Sequence, residues 1–431
     1  MKKSTVSMLV ASVLVSSAVL AGCGSSSASK SDKTDVDSLT VWAWDAKYNV
    51  KAVELADKIY QKTDDKPVKV KIVESAQDDI VQKLNTALSS GVTKGLPNIV
   101  LIEDYRAQSF LAAYPDSFFP LTDVINSKDF VDYKIAAGTY NKEVYNVPFD
   151  TASTGMYVRT DILEKAGYKL EDLQNITWKQ YTEIAKVVKE KTGVKAITNQ
   201  MDDLGQIRAM INSSGAWYTG EDGKTPTIKD NVALKEAFED MKTLNDGGLM
   251  NLHNDWAQYV SAFNKGTVWS APAGNWLTPS ITAEASQSGK WAVVPYPRQS
   301  VEGSVNASNM GGSSWYVINQ NGKEEAAEFL KETFGSSEEL YKQLTEQIGA
   351  IGSYKPATAS GTYNTKVDYF GGQEIYKDFA GWAEKIPAVN YGSNTYEIED
   401  ILAKAFQDYS KGGDLDKILS DAQKEAEDQL K

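Results

Sequence analysis

The sequence predicts an α/β protein of two lobes, and three observations carry that expectation. Strand-like and helix-like segments alternate from Leu39 to Ile102, the pattern of a parallel sheet covered by helices. The roughly 390 residues that follow the polar N-terminal stretch are too many for one ordinary core and suit two of about 200 each. A further strand and helix series then begins after Val147-Pro148-Phe149-Asp150.

The N-terminus reads as an export signal. Lys2 and Lys3 precede an apolar run from Met8 to Leu20, closed by Leu20-Ala21-Gly22-Cys23. The run is shorter than the ~20 apolar residues of a membrane span and ends in small residues, so residues 1–22 are expected to be a cleaved signal peptide with a lipobox. Cys23 is the only cysteine, so it forms no internal disulfide, and its place after the small triplet marks it as the lipidation site. Several acyl chains on it would hold the protein firmly to the outer face of the cell membrane. Residues 23–38, rich in Ser and Ala, form the expected flexible tether. No later apolar stretch approaches membrane length.

Charge excludes other roles. The net charge of −13 becomes −15 when Lys2 and Lys3 are removed with the signal. Such acidity argues against nucleic acid, whose phosphates need a basic face. It also disfavours an anionic ligand. His253 is the only histidine, which gives metal hydrolysis poor support. Gly311-Gly312-Ser313-Ser314-Trp315 fails as a nucleophile elbow at its last position, and no Gly-Lys-Ser phosphate loop occurs. No cofactor is expected.

The elements follow in order. Leu39 to Trp44 alternates as a strand, Val50 to Tyr60 has helical spacing through Val53, Ala56 and Ile59, and Val68 to Ile72 is a second strand. Ser75, with Asp78 three residues on, is the expected N-cap of a helix carrying Ile80, Leu84 and Leu88 and stopping at Gly91. Asn98 to Ile102 is a continuous apolar run, as expected of a strand covered on both faces. Gly155 to Arg159 opens the second lobe as a strand. Trp178 to Thr192 reads as a helix through Tyr181, Ile184, Ala185 and Val188, ending at Gly193, and Leu415 to Ala426 as another.

In open α/β sheets ligands sit beyond the carboxyl ends of the strands. Those ends carry Trp44-Asp45, Ser75-Ala76-Gln77 and Glu103-Asp104-Tyr105, all suited to a polyol. Trp and Tyr are abundant, at 10 and 22. A sugar offers an apolar C–H face to such rings and a rim of hydroxyls to carboxylates and amides.

Four stretches together resemble the extracellular solute-binding proteins for sugars, the family that includes the maltose-binding protein. They are Trp42 to Asp45; Phe263-Asn264-Lys265-Gly266-Thr267-Val268 leading to Gly274-Asn275-Trp276; Met310 to Ile318 followed by Asn321 to Leu330; and Ala403 to Phe406 continuing to Ala426. The resemblance implies a two-lobed periplasmic-binding-protein-like fold, each lobe an α/β sheet sandwich, with a hinge between lobes. It places lobe 1 at 39–148 plus 312–352 and lobe 2 at 152–308 plus 356–431, with crossovers near 148–154, 309–314 and 349–356. It implies a monomeric, non-enzymatic substrate-binding component of an ABC importer that delivers its solute to the permease transmembrane subunits. It also puts Trp276 in the cleft. Glu103-Asp104-Tyr105-Arg106 departs from the maltose-type pattern, so ligand identity does not carry over.

The expected ligand is an oligosaccharide. Trp44, Trp217, Trp256, Trp276 and Trp315 are candidates for stacking, and Asp45, Asp104, Asp150 and Asn275 for the hydroxyl rim. Gln77, Tyr105, Gly274, Gly312 and Tyr354 complete the set, with Tyr391 a weaker choice. Each tryptophan competes with a role in core packing, and each Asp or Asn with a role as a cap or turn residue. Two alternatives remain from the residues: a secreted glycoside hydrolase, whose aromatic cleft also carries paired carboxylates, and the same fold binding a peptide or polyamine.

Overall fold

The computed structural model describes residues 36–430. The expected signal peptide 1–22, Cys23 and the tether as far as residue 35 lie outside the described residues.

The strands in chain order are β1 (Ser38–Ala43), β2 (Lys69–Glu74), β3 (Ile99–Glu103), β4 (Thr139–Tyr140), β5 (Glu143–Val144), β6 (Asn146–Pro148), β7 (Thr154–Arg159), β8 (Ile197–Asn199), β9 (Met250–Leu252), β10 (Ser270–Gly274), β11 (Trp291–Pro295) and β12 (Ser313–Val317). The first lobe is built on a five-stranded sheet in the order β2-β1-β3-β12-β6. β1 pairs parallel with β2 and β3, as the alternating strand and helix pattern predicts. The sheet is nevertheless mixed, because β12 runs antiparallel to both β3 and β6. The reason is connectivity. β6 leads out toward the second lobe, whereas β12 is the returning chain and enters the sheet at Ser313, opposite the last residue of β3, Glu103.

Both faces of this sheet are covered, which explains the unbroken apolar run of β3. Ile99 and Leu101 pack with Val41, Trp315 and the helix Asn49–Thr63, while Val100 and Ile102 pack on the other face with Tyr316 and with Ile80, Leu84 and Leu88 of the helix Gln77–Ser89. That second helix has no side-chain cap. Ser75, expected there, instead accepts a hydrogen bond from Lys83 Nζ at 3.2 Å, and Asp78 and Asp79 sit in the first turn, where carboxylates favour the helix dipole.

The second lobe is built on an antiparallel sheet, β10-β7-β11, with the parallel pair β8-β9 beside it. All six residues of β7 are buried, Met156 and Val158 toward the helix Trp178–Thr192 and Tyr157 toward Val293 and Phe379. That helix has the bounds its periodicity predicts. Thr177 and Gln180 close a reciprocal capping box, and Gly193 ends it at φ +74°.

The lobes meet through three chain segments that lie side by side. Asp150 pairs with Gly352 and Ser153 with Asn309. The Thr151 amide donates to the Ile351 carbonyl at 2.9 Å, and the Met310 amide to that of Ala152 at 3.0 Å. Ala152 has φ +43°, a left-handed conformation unusual for a residue with a Cβ, while Gly311 and Gly312, at +87° and +95°, meet the same demand without strain.

Candidate ligand cleft

The carboxyl ends of β1, β2 and β3 face one large cleft of about 1610 Å³, which is lined on its other side by loop and helix residues of the second lobe. Trp44 and Asp45 follow β1, Gln77 opens the helix after β2, and Glu103 ends β3. Asp150 and Gly312 line the cleft from the crossovers, and Trp256 and Trp276 from the second lobe. The structure therefore brings together seven of the residues singled out from the sequence: Trp44, Asp45, Gln77, Asp150, Trp256, Trp276 and Gly312.

Local chemistry fixes each of them. The Asp45 carboxylate accepts the amide hydrogens of Lys47 and Tyr48 at 2.8 and 2.9 Å, turning the chain so that Tyr48 reaches the crossover. The Tyr48 hydroxyl donates to Asp150 Oδ2 at 3.4 Å, while Asp150 Oδ1 accepts the Ser313 amide hydrogen at 2.9 Å. Burial, and next the negative charge of Asp150, push the Tyr48 phenol well above its ordinary pKa, so it stays a donor. Trp276 stands in the 3-10 turn after β10. Its indole N–H donates to the Met310 carbonyl at 2.8 Å, and a Cβ on Gly274 would lie 2.2 Å from that nitrogen. Trp256 heads the helix Trp256–Asn264, capped by the Asp255 side chain, and is 57% exposed. Its ring stacks on Tyr259 at 5.3 Å and lies 6.0 Å from that of Trp276.

The other seven candidates are buried away from the cleft surface. Trp315 sits at the centre of β12, fully buried against Phe149 and Phe334, so neither indole face is open to a ligand. Trp217 is held in the second lobe, its N–H shared by the Tyr391 carbonyl and Thr395 Oγ1, each at 3.0 Å. Tyr105 leaves the first lobe and packs against Trp217 and Tyr391, which also touch each other, so that the three rings form one buried cluster. Tyr354 stacks on Tyr341 at 5.3 Å inside the first lobe. Asp104 is fully buried in an ion pair with Lys134 and accepts a hydrogen bond from Ser314 Oγ at 2.8 Å. Burial pushes its pKa up to about 6 against the opposing pull of the Lys134 ammonium. Gly274 and Asn275 lie beneath Trp276, and the Asn275 amide is 1% exposed with neither side-chain atom hydrogen-bonded.

Sequence reasoning passed over Tyr48, Asp203, Arg208 and Tyr376, which also line the cleft. Tyr48 lies only four residues past Trp44, and Asp203 lies just past the carboxyl end of β8. The strand-end rule, carried further along the first loop and into the second lobe, would have found both. Arg208 gives no such signal. Its guanidinium lies 4.4 Å from the Tyr105 ring centroid and pairs with Glu399 at 3.1 Å.

The cleft's charges are predominantly acidic: Asp45, Glu103, Asp150, Asp203 and Glu346 face Lys47 and the already paired Arg208. Such a lining repels anions and offers acceptors to hydroxyl groups. Among the described residues no group of three or more His, Cys, Asp and Glu side chains could hold a metal ion, and no helix is long and apolar enough to cross a membrane.

Known proteins share this architecture. The chain is 40% identical to the lactose-binding protein of Rhizobium radiobacter over 91% of this chain and 93% of that one. It is 28% identical to the arabinooligosaccharide-binding protein of Bacillus subtilis, over 81% and 80% of the two chains. Its fold matches the ABC transporter associated binding protein of B. animalis subsp. lactis, solved in complex with beta-1,6-galactobiose, with a TM-score of 0.70 and 21% identity over 92% of this chain and 98% of that one. The family model described as bacterial extracellular solute-binding protein matches residues 54–371. Family model, long-range sequence identity and the two-lobed fold agree, and the chain belongs to the bacterial extracellular solute-binding proteins.

Proposed function

We propose that this protein captures a neutral oligosaccharide, with a galactoside disaccharide such as lactose the first candidate, and delivers it to the permease of an ABC importer without hydrolysing it. The observation that carries this is the cleft itself, where Trp44 of one lobe and Trp256 and Trp276 of the other line a space whose polar groups are mainly carboxylates and hydroxyls. That combination suits a ligand with apolar ring faces and a hydroxyl rim, and the acidic lining disfavours phosphorylated or carboxylated sugars. The names of the lactose- and arabinooligosaccharide-binding relatives support the same ligand class.

In this proposal Trp44, Trp256 and Trp276 stack on the sugar while Asp45, Gln77, Asp150 and Tyr48 hold its hydroxyls. The first lobe comprises 39–148 plus 312–352 and the second 152–308 plus 356–431, and the three crossovers act as the hinge. Cys23 carries the lipid that keeps the exported, monomeric protein at the outer face of the membrane. Replacing Cys23 with Ser should release the protein into the medium and abolish labelling with radioactive palmitate.

The decisive experiment is a thermal-shift screen of the mature protein with lactose, arabinooligosaccharides, peptides and polyamines, followed by chromatography of the sugar after prolonged incubation. A ligand at about 100 times its Kd adds about 2.7 kcal/mol to stability, an easily read rise in Tm. Lactose or an arabinooligosaccharide should give that rise and be recovered intact. A shift with peptide or polyamine alone would refute the sugar assignment, and hydrolysis products growing with protein concentration would make it a glycosidase.

A further inference from the structure

Beside Trp256 a smaller side pocket of about 180 Å³ shares part of its wall with the main cleft, through Asp203, Trp256, Trp276 and Met310. Its inner wall comes from the carboxyl end of β8 and the segment after β9. Thr198 Oγ1 and His253 Nδ1 lie 2.9 Å apart, and the Asn199 and Gln206 side-chain amides donate to backbone carbonyls at 2.8 and 2.7 Å. The wall is thus polar and fixed in position. At the rim stand two rings, Trp256 on Tyr259, and Trp256 is among only four large apolar side chains that are exposed among the described residues.

The chemistry of the lining selects its occupant. No Lys or Arg lines the pocket, whereas Asp203 and Asp255 do, so an anionic group would find no cationic partner. Burial lowers the pKa of His253, which keeps the imidazole neutral at pH 7. Aromatic faces at the mouth and uncharged or acceptor groups within match a neutral sugar ring. A further cavity of about 470 Å³ meets the side pocket at Gln200 and His253 and continues along the second lobe toward Gln407 and Lys411.

We propose that the side pocket is an additional sugar subsite, which receives the third ring of an oligosaccharide whose first two rings occupy the main cleft. This rests on the sugar-binding role proposed above and extends it: the protein selects for chain length, preferring saccharides of three or more units to disaccharides.

The test is calorimetric titration of the mature protein with lactose, the galactosyllactose trisaccharides of each linkage, arabinobiose and arabinotriose. Two variants accompany the wild type. Gln200→Trp blocks the side pocket at a half-buried residue that does not line the main cleft, and Trp256→Ala removes the exposed platform. In the wild type at least one trisaccharide should bind about fivefold or more tightly than its disaccharide, and Gln200→Trp should erase that gain while leaving the disaccharide Kd within about twofold. Trp256 lines both spaces, so Trp256→Ala should weaken both sugars and the trisaccharide more, lowering the ratio of the two affinities, with Tm in the absence of sugar confirming that both variants fold. Equal affinities for disaccharide and trisaccharide in the wild type would overturn the subsite, as would a trisaccharide gain that survives both substitutions. Absence of binding by every saccharide would overturn the sugar-binding role, and the subsite with it.

Discussion

Trp276→Ala is the perturbation that tests the proposed cleft most directly. Trp276 is half-buried, its indole N–H is fixed on the Met310 carbonyl at 2.8 Å, and its ring borders the cleft. Stacking of a sugar on one indole face would hide roughly 100 Å² of apolar surface summed over ring and sugar, worth about 2.5 kcal/mol at ~25 cal/mol/Å². That corresponds to a Kd raised about 70-fold. Trp276→Phe keeps a smaller ring and should lose roughly half of that energy, hence about tenfold in Kd. Calorimetric titration with lactose reads the affinities, and the Tm of each sugar-free variant separates loss of binding from loss of fold. A Trp276→Ala protein of unchanged Tm that binds within threefold of the wild type would remove Trp276 from the site.

Three further outcomes are expected. Gly274→Ala has a compatible backbone, φ −67°, but its methyl would lie 2.2 Å from Trp276 Nε1, so the indole must leave the Met310 carbonyl; lactose affinity should fall about as far as in Trp276→Ala, with a shifted tryptophan emission to show that the ring has moved. Lys134→Met leaves Asp104 buried without its cation and should cost at most about 3–5 kcal/mol in urea unfolding at pH 8; burial holds the Asp104 pKa up at about 6 even while Lys134 pulls it down, so without that cation it rises further, protonation relieves the unpaired charge from a pH above 6, and the loss should shrink by pH 4.5. Asp240→Asn should stabilise the second lobe at high pH: burial, and then Glu236, raise Asp240 to about 7 in the fold from 3.8, so its ionisation is penalised as pH rises through that window. Its Oδ2 is buried with no partner, and the penalty, at most about 4 kcal/mol, should appear as a higher Tm of the variant at pH 8 that disappears at pH 4.

The elements that the sequence displayed clearly were those with strict periodicity. β3 reads as a doubly covered strand because Ile99 and Leu101 serve one core and Val100 and Ile102 another. The helix Trp178–Thr192 carries its own start and stop, in the Thr177–Gln180 capping box and Gly193. The antiparallel entry of β12 was not legible, because strand direction depends on where the chain returns from a distant lobe and no residue of Ser313–Val317 encodes that. At the candidate cleft, the strand-end rule leads to Trp44, Asp45 and Gln77, which line it, since loops beyond carboxyl ends have no core to enter. It failed at Asp104 and Tyr105, where the helix begins at once, at Asp104, and carries both side chains inward, to Lys134 and to Trp217. Trp315 and Trp217 show the general limit. A tryptophan in a covered strand and one at a cleft differ only in what lies opposite, and that is decided by tertiary packing.

One residue joins the cleft to the crossovers, and its position explains how binding can act on the relation between the lobes. Asp150 lines the cleft, yet it also pairs with Gly352 through its backbone and holds the Ser313 amide hydrogen through Oδ1. All three crossing segments therefore converge on it or its immediate neighbours. Ser313 is tied in turn to the buried ion pair, since its carbonyl accepts from Lys134 Nζ at 2.8 Å while Lys134 pairs with Asp104. Charges so placed tolerate little displacement, because separating them in a dry interior costs far more than at the surface. Just before them Gly311 and Gly312 occupy left-handed backbone, which makes that segment the place where the proposed hinge would bend. In the proposed binding mode a hydroxyl held by Tyr48 and Asp150 would contact the ion-paired end of the crossovers, while Trp276, bonded to Met310 one residue before Gly311, stands at the glycine end. A ligand that touches both is placed to fix the angle between them.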